Sequence, residues 1–409
     1  MRFHVLHSPL GTLLAYHLRH TLPSKHAVSL ICNHRDVAQK QVGPNNIVQL
    51  ENSGVIMSVR NVDFEFLNPT LRPYNGRPPK PYTETLPAED RDRGLIESLI
   101  VTIPPTATQF TLSSLIHRLT PQSTIVLMQT GLGVYEKLIT SLFPNPTRRP
   151  HFIIASPRHG AWLKGPDHVV HTLPGSIDFS IVPDPRGRDF EAFLRSEDAP
   201  SSKRGLQLSD IANKDEDPKF AEYASLRNTV SVLSKLEELN TRWLSMGEGE
   251  VVFRRDLVVR AVTDALAVAL GLPNGQLLST SSSRKLAQGL ILEIHGSFRK
   301  QWETEIGSQF PTEDGSRRSL RTIPPLPRGL GRRALMGELV RHLFVRSELK
   351  APMLRDIHTG ALTQVQYGLG YLFEIGRAYK FPMPTTSALL RTIKARESLG
   401  KNPNTHVKT

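Results

Sequence analysis

The chain opens on a short apolar run, Arg2 to Leu6, then Ser8-Pro9-Leu10-Gly11, then Leu13, Leu14, Ala15 and Leu18 at helical spacing. This order predicts a strand, a tight turn and a helix. A second β-rich run, Ala27 to Cys32, ends in Asn33-His34-Arg35, so the first thirty-odd residues read as a βαβ unit. Residues 60–93 are rich in proline, arginine and acidic side chains without a sustained period, and read as an inserted loop. The alternation resumes with a buried strand over Leu99–Ile103, a helix over Ala107–Leu119 and a strand over Thr124–Met128. After Gln129-Thr130-Gly131-Leu132-Gly133 come a helix near Tyr135–Leu142, a strand at Phe152–Ala155 and a hairpin over Ala161–Val182. From Asp184 to about Asp217 the chain is polar, with Pro-Arg-Gly-Arg and Ser-Ser-Lys-Arg, which predicts a linker. Beyond it the period is close to 3.6 over Phe220–Met246, Asp256–Leu270, Arg284–Glu303, Leu335–Arg346 and Thr363–Tyr379. The expected organisation is an α/β domain over residues 1–185, a linker over 186–219 and an all-helical domain over 220–405. Within it, Arg317, Arg318, Arg321, Arg328, Arg332 and Arg333 lie among Pro324, Pro325 and Pro327, which predicts a basic disordered insertion at residues 305–334.

Composition narrows the function classes. With 409 residues and 39% hydrophobic side chains, the chain can build two cored domains. Its single cysteine, Cys32, closes no intramolecular disulfide and builds no cysteine metal cluster. No run approaches the roughly 20 apolar residues of a membrane span, so a soluble intracellular protein is expected. The net charge of +13 points to acidic partners such as nucleic acid, a ribosome or a phosphorylated cofactor. His17 and His20 share a helix face without a carboxylate or cysteine beside them, so no metal is expected. Walker, H-E-x-x-H and G-x-S-x-G patterns are absent. Residues 1–35 contain no Asp or Glu but do contain Arg2, Arg19, Lys25 and Arg35, a composition that suits mitochondrial import. Because the first strand starts almost at Met1, the expectation is an uncleaved matrix protein, with the cytosol as the alternative.

A dinucleotide turn uses G-x-G-x-x-G: the first glycine makes the turn, the second admits the pyrophosphate, and the third lets helix and strand pack closely. Counted back from Gly11, the other two positions are Leu6 and Ser8. Serine adds a small side chain, but the leucine and Pro9 both restrict the loop. Two readings stay open: a turn that still attracts an anion to the helix N-terminus through Ser8 and Gly11, and a Rossmann half kept as scaffold. At the end of the second strand no Asp or Glu waits for a ribose diol. His34 and Arg35 suit a 2′-phosphate there, so the cofactor, if any, should be NADP; otherwise they are two solvated basic residues.

Four passages occur in a telling order: Thr130-Gly131-Leu132-Gly133 after a strand; His159-Gly160-Ala161 with Gly165 and His168–His171; Leu257–Val259 running to Pro273-Asn274-Gly275; and Met353-Leu354-Arg355-Asp356-Ile357 through Tyr367, Gly370 and Tyr371 to Pro382 and Pro384. Together they resemble the ketopantoate reductase (2-dehydropantoate 2-reductase) family over nearly the whole chain. The resemblance implies an α/β Rossmann-like N-terminal domain that holds NADPH and an all-α C-terminal domain that closes over the keto acid, the 6-phosphogluconate dehydrogenase-like fold of ketopantoate reductase type. It also implies which positions carry the chemistry. The family's catalytic lysine falls on Asp256, and the two substrate-binding asparagines after it fall on Arg260 and Asp264. Its serine becomes Pro352 and its glutamate Gln364. On the cofactor side, the asparagine before Gly131 becomes Thr130, and a lysine becomes Pro104. Asn274 keeps the family residue and reads as a helix-end turn residue. Arg255 does not replace the lysine, because one residue along a helix turns a side chain by about 100°.

Two functions follow from this pattern. The first is a catalytically degenerate relative reused for binding, similar to the fungal cytochrome b translational activators, with mitochondrial RNA, a ribosome or an assembly factor as partner. Arg254, Arg255, Arg260 and the insertion's Arg317, Arg318, Arg321, Arg332 and Arg333 are then the candidate phosphate contacts; the bland alternative is solvated charge. The second is a working NADP-dependent reductase with a new proton donor, for which His159, His295 and His358 are the candidates.

Overall fold

The computed structural model describes the chain except residues 33–45, 68–92, 196–204, 215, 310–323 and 402–409. It divides into two compact units. One holds Met1–Thr130 and Val134–Gly249; the other holds Gly131–Gly133 and Glu250–Thr409.

The first unit is built on an eight-stranded sheet. Its strands are β1 (Arg2–Leu6), β2 (Ala27–Cys32), β5 (Val62–Phe66), β6 (Ile96–Val101), β7 (Leu119–Met128), β8 (His151–Pro157), β11 (Ile177–Ile181) and β12 (Thr241–Trp243). In space the order is β12-β11-β8-β7-β6-β1-β2-β5, and every pairing is parallel except β8 with β11. The central strands are buried along almost their whole length, as expected of parallel strands covered on both faces. Helix α1 (Pro9–Thr21) follows β1 because Ser8 caps it, Pro9 presets its first turn, and Leu13, Leu14 and Leu18 give it a core face; α2 (Pro105–Leu115) follows β6 and α3 (Val134–Ser141) follows β7. A second sheet of four strands, in the order β4-β3-β10-β9, packs on α1. It comprises β3 (Val48–Asn52), β4 (Val55–Val59), β9 (Gly160–Leu163) and β10 (His168–Leu173). The expected hairpin over 161–182 is therefore β9 and β10 alone, while β11 returns to the main sheet.

Ionic networks hold this unit together at two depths. Arg118, almost fully buried, donates to Glu65 at 2.8 Å, to the Gly94 and Arg93 carbonyls, and faces the His4 ring at 3.3 Å, which ties β5 to β1 and β6. Asp178 on β11 is fully buried and receives Arg158 from the end of β8 and Arg242 from β12, each at 2.6 Å. An unpaired charge there would be costly, so the two guanidiniums fix the sheet's edge.

Several sequence expectations are corrected. Residues 186–219 are not a free linker: Arg188 lies 4.0 Å over the Tyr223 ring and bonds Asp217, Tyr223 donates to Asp184 at 2.6 Å, and Phe190, Ile211 and Ala212 join the first unit's core. The helical unit begins at Glu250 and not at 220, because α5 (Phe220–Leu233, after the single turn α4 at Leu208–Ile211) buries Leu226, Val230 and Leu233 in the same core. That helix stops at Leu233, and Thr241–Trp243 becomes a strand instead of continuing the helical period. Within the segment read as a loop over 60–93, Val62–Phe66 is a strand paired with β2; residues 68–92 lie outside the described residues.

The second unit is helical: α6 (Met246–Leu270, whose first four residues belong to the first unit), α7 (Ser281–Gln309), α8 (Arg332–Val345), α9 (Pro352–Thr359), α10 (Leu369–Ala378) and α11 (Pro384–Lys401). Val258, Val262 and Leu266 form a buried spine with Leu290, Ile294, Phe298, Leu335, Leu339, Leu372 and Ile393. Glu293 on α7 accepts the Thr385 and Thr386 amides at 2.8 Å, capping the start of α11 with a carboxylate where the helix dipole favours one. The helix expected over Thr363–Tyr379 is interrupted: a single turn at Val365–Tyr367 precedes α10. The ends of the expected disordered insertion are also ordered. Residues through Gln309 belong to α7, Leu330 is buried in a turn over Arg328–Leu330, and Arg332 and Arg333 open α8. Arg317, Arg318 and Arg321 lie outside the described residues. No helix among the described residues is long and apolar enough to cross a membrane.

Candidate functional site

The turn after β1 is where a phosphate would meet the backbone. Gly11 keeps the third-glycine role: a Cβ there would lie 2.1 Å from the Leu6 carbonyl oxygen. The rest of the turn has closed on itself. The Ser8 hydroxyl accepts the Gly11 amide at 2.9 Å and donates to the Thr102 hydroxyl at 2.8 Å, which in turn donates to the Leu6 carbonyl at 2.7 Å. The His7 amide donates to Ile31 and its ring nitrogen to the Pro166 carbonyl at 2.7 Å, while Pro9 brings no N–H at all. A phosphate needs such donors unengaged and aimed outward. Here the Gly11 amide is taken by the Ser8 hydroxyl and the His7 amide by the Ile31 carbonyl. His34 and Arg35 lie outside the described residues.

Thr130 ends the first unit's share of the next motif. Gly131 and Gly133 have φ of +121° and +88°, conformations that exclude most side chains. They also pack closely on residues of the helical unit: a Cβ on Gly131 would lie 2.9 Å from the Tyr367 carbonyl, one on Gly133 2.9 Å from the Tyr371 ring, and the Leu132 amide donates to the Tyr367 carbonyl at 3.2 Å. Gly131 is thus packed closely against the Tyr367 backbone.

In the helical unit, Asp256, Arg260 and Asp264 follow one another at four-residue spacing along α6, about 40° apart around the axis. Asp256 is buried. Burial pushes the Asp264 carboxyl up to about 7, with Asp356 adding to it, while the Met353 amide and Arg260 pull the other way. Burial likewise raises Asp356. On α8, burial lowers His342 to about 3, helped by Arg346 and Arg260. The structure therefore brings Arg260 and Asp264 together with Asp356, which lies in the Met353–Ile357 passage, and with His342, which carries no sequence motif. Pro352 is the first residue of α9 and Gln364 precedes the turn at Val365–Tyr367. Asn274 is structural: its amide donates to Leu349 and its side chain to Arg346, closing the end of α8.

The candidate proton donors are also placed. His159 accepts the Gly175 amide at Nδ1 and donates from Nε2 to the Leu239 carbonyl, so His171 donates to the same Nδ1. Both nitrogens are spent and the ring is fixed as the neutral Nε2–H tautomer. His295 bonds the Leu330 carbonyl, and His358 is exposed near the end of α9. Arg254 is tied to Glu250 and Gln301 and stacks on Phe298, which makes it a packing residue.

Asp264→Asn tests the electrostatics of this cluster. An Asp raised from 3.8 to about 7 in the fold destabilises it as pH climbs through that window, because the unfolded chain gives up the proton first. The variant should be more stable than wild type by about 1–3 kcal/mol at pH 8 and equal to it near pH 4. Equal urea midpoints at both pH values would show that Asp264 is not held in a proton-retaining environment.

The sequence pattern described as Ketopantoate reductase PanE/ApbA matches residues 10–184, and its C-terminal counterpart matches residues 254–397. The chain belongs to the ketopantoate reductase family. A relative in Schizosaccharomyces pombe (strain 972 / ATCC 24843), a probable 2-dehydropantoate 2-reductase, is 25% identical over 205 residues, which is 50% of this chain and 51% of that protein. The alignment thus spans about half of the relative. Among solved structures, the ketopantoate reductase of Ralstonia eutropha JMP134 superposes with a TM-score of 0.63 at 12% identity, covering 98% of this chain and all of that one. A D-mandelate dehydrogenase solved with NADH and anilino(oxo)acetate gives 0.62 at 14% identity, covering 98% and 99%. At such identities these structures establish the fold: a Rossmann-like unit and a helical ketopantoate reductase unit.

Proposed function

We propose that this ketopantoate reductase-like chain no longer reduces ketopantoate and acts as a binding and regulatory factor, in mitochondrial translation, like the cytochrome b translational activators it resembles. The observation that carries this reading is the turn after β1, where the Ser8 hydroxyl takes the Gly11 amide and bonds the Thr102 hydroxyl, and Pro9 brings no N–H. At the position where the family has its catalytic lysine stands a buried aspartate, Asp256, which repels a keto-acid carboxylate and does not stabilise a developing alkoxide. The partner in this reading is RNA, a ribosome or an assembly factor, and the compartment is the mitochondrial matrix. Cofactor is not required.

One observation favours the alternative, an NADP-dependent 2-dehydropantoate 2-reductase with altered site residues. Burial raises the Asp264 carboxyl to about 7 beside Arg260, a pairing of acid and cation that carbonyl reduction can use. A single experiment separates the two. Purified protein titrated with NADPH should show no change in nicotinamide fluorescence and no ketopantoate-dependent oxidation. Turnover that is lost in Asp264→Asn would establish the reductase instead. Fractionation that puts the intact protein in the cytosol would remove the mitochondrial part of the reading.

A further inference from the structure

Helix α8 has two faces that differ in kind. Leu335, Leu339 and Leu343 are buried in the helical core. On the other side Val340, Phe344 and Val345 are 48%, 81% and 53% exposed, and Leu349, just past the helix end, is 49% exposed. Exposed apolar residues scattered singly are ordinary, but four within ten positions form a patch that the fold does not use. Arg333 stands 11 residues before Phe344, about 20° away around the helix, and Arg341 lies about 60° to the side. Both are exposed, as are Arg332 and Lys350. Glu338 and Glu348 are the acidic residues over Arg332–Lys350, and Arg341 pairs with Glu338 at the surface.

The wider charge distribution has the same sign. Residues 250–409 contain 24 Lys and Arg against 13 Asp and Glu, whereas residues 1–249 contain 27 against 25. Of the net +13, +11 therefore belongs to the helical unit.

We infer that this face of α8 docks an acidic protein segment that sets an apolar side chain against Phe344, an inference that rests on reading the chain as a binding factor. Val340, Phe344, Val345 and Leu349 would be the desolvated centre, and Arg333, Arg341 and Lys350 the polar rim that selects an acidic partner. A second copy of this chain is disfavoured, since a two-fold contact would press the same arginine-rich rim against itself. RNA is disfavoured at this patch because three of its four apolar side chains are aliphatic, and single-strand binding relies on aromatic platforms for its bases.

The test places a photo-crosslinking phenylalanine analogue at position 344 of the full chain in its host cells, with the same analogue at exposed Trp162 as control. The cross-linked peptide is mapped, its parent protein purified, and affinity measured for wild type, Phe344→Ala, Phe344→Glu and Arg333→Ala/Arg341→Ala. Expected is a cross-link specific to position 344, a peptide with more Asp and Glu than Lys and Arg, and an affinity loss of about tenfold or more in each variant. Affinity should also fall as salt rises from about 0.1 to about 0.5 M, where exposed charges are screened. Phe344→Glu guards against a folding artefact, since it changes only the exposed face and should leave melting unchanged while opposing an acidic partner. A cross-link to RNA, to another copy of this chain or to a basic peptide, no cross-link, or affinity indifferent to the Phe344 variants would each overturn the inference. NADPH turnover by wild type would remove the proposed function and leave the cross-link result standing. Absence of the cross-link would remove this docking face and leave the proposed function standing.

Discussion

Arg118→Met should cost the Rossmann-like unit about 3–5 kcal/mol, because it strands the buried Glu65 carboxylate without its strongest partner. Burial works to raise Glu65, but the hydrogen bond and charge of His4 and the charge and hydrogen bond of Arg118 outweigh it and hold the carboxyl at about 2. A carboxyl held below its unfolded value contributes stability that is present above about pH 4.5 and is lost as pH falls toward 2. The penalty of Arg118→Met should therefore be full at pH 7 and shrink below pH 4.5. The double variant Arg118→Met/Glu65→Gln removes both charges and should return to within about 1 kcal/mol of wild type, since replacing a whole buried pair is far cheaper than breaking it. Urea unfolding followed by a probe on the first unit reads all three. A single-variant loss below about 1 kcal/mol would show that Glu65 is hydrated in solution.

The second large effect is acid sensitivity. Burial lowers His17 and His151 to about 4 and His342 to about 3. For His17, Glu238 works the other way while His171, His159 and His20 add to the lowering; for His151 the Arg186 guanidinium adds to it. An unfolded histidine takes up a proton near pH 6.5 and these folded ones do not, so the unfolded state binds more protons between about 6.5 and 4. Stability should fall with decreasing pH in that window by about 1.4 kcal/mol per pH unit for each such histidine. In the first unit, His17→Gln and His151→Gln should each flatten the dependence by one histidine's share, whatever they do to stability at pH 8. A pH profile of the urea midpoint with the same slope in the variants and wild type would place these rings in water.

Much of this was readable from the residues, and the failures have identifiable causes. Ser8, Pro9 and the Leu13–Leu18 face announce α1 because cap, first-turn proline and apolar stripe agree. The β3–β4 half of the second sheet went unseen although its hairpin carried a signal: Asn52 and Val55 flank Ser53-Gly54, with φ of +50° and +82°, the two-residue loop that joins adjacent strands. The boundary between units was misplaced because a 3.6 period over Phe220–Leu233 reports a helix and its apolar face, but not which sheet that face will cover. The site divides in the same way. The positions of Asp256, Arg260, Asp264, Pro352 and Gln364 followed from a resemblance of motifs, whereas the raised Asp264 carboxyl arises from its burial, with Asp356, 92 residues along the chain, adding to it. No local pattern encodes such a neighbourhood. The self-closed turn lay between these cases: Ser8 was legible as a substitution, but its bond to Thr102 joins residues 94 apart.

The clasp that Asp178 makes between Arg158 and Arg242 sets where a gene may be cut. A fragment stopping at residue 219 would lose α5 and β12, expose the underside of β7 and β6, and leave Asp178 with one guanidinium at a raw sheet edge. Such an edge is a template for adding strands from other molecules. A soluble N-terminal piece must therefore run through Trp243 to Gly249, even though an alignment to the family's N-terminal pattern ends at residue 184.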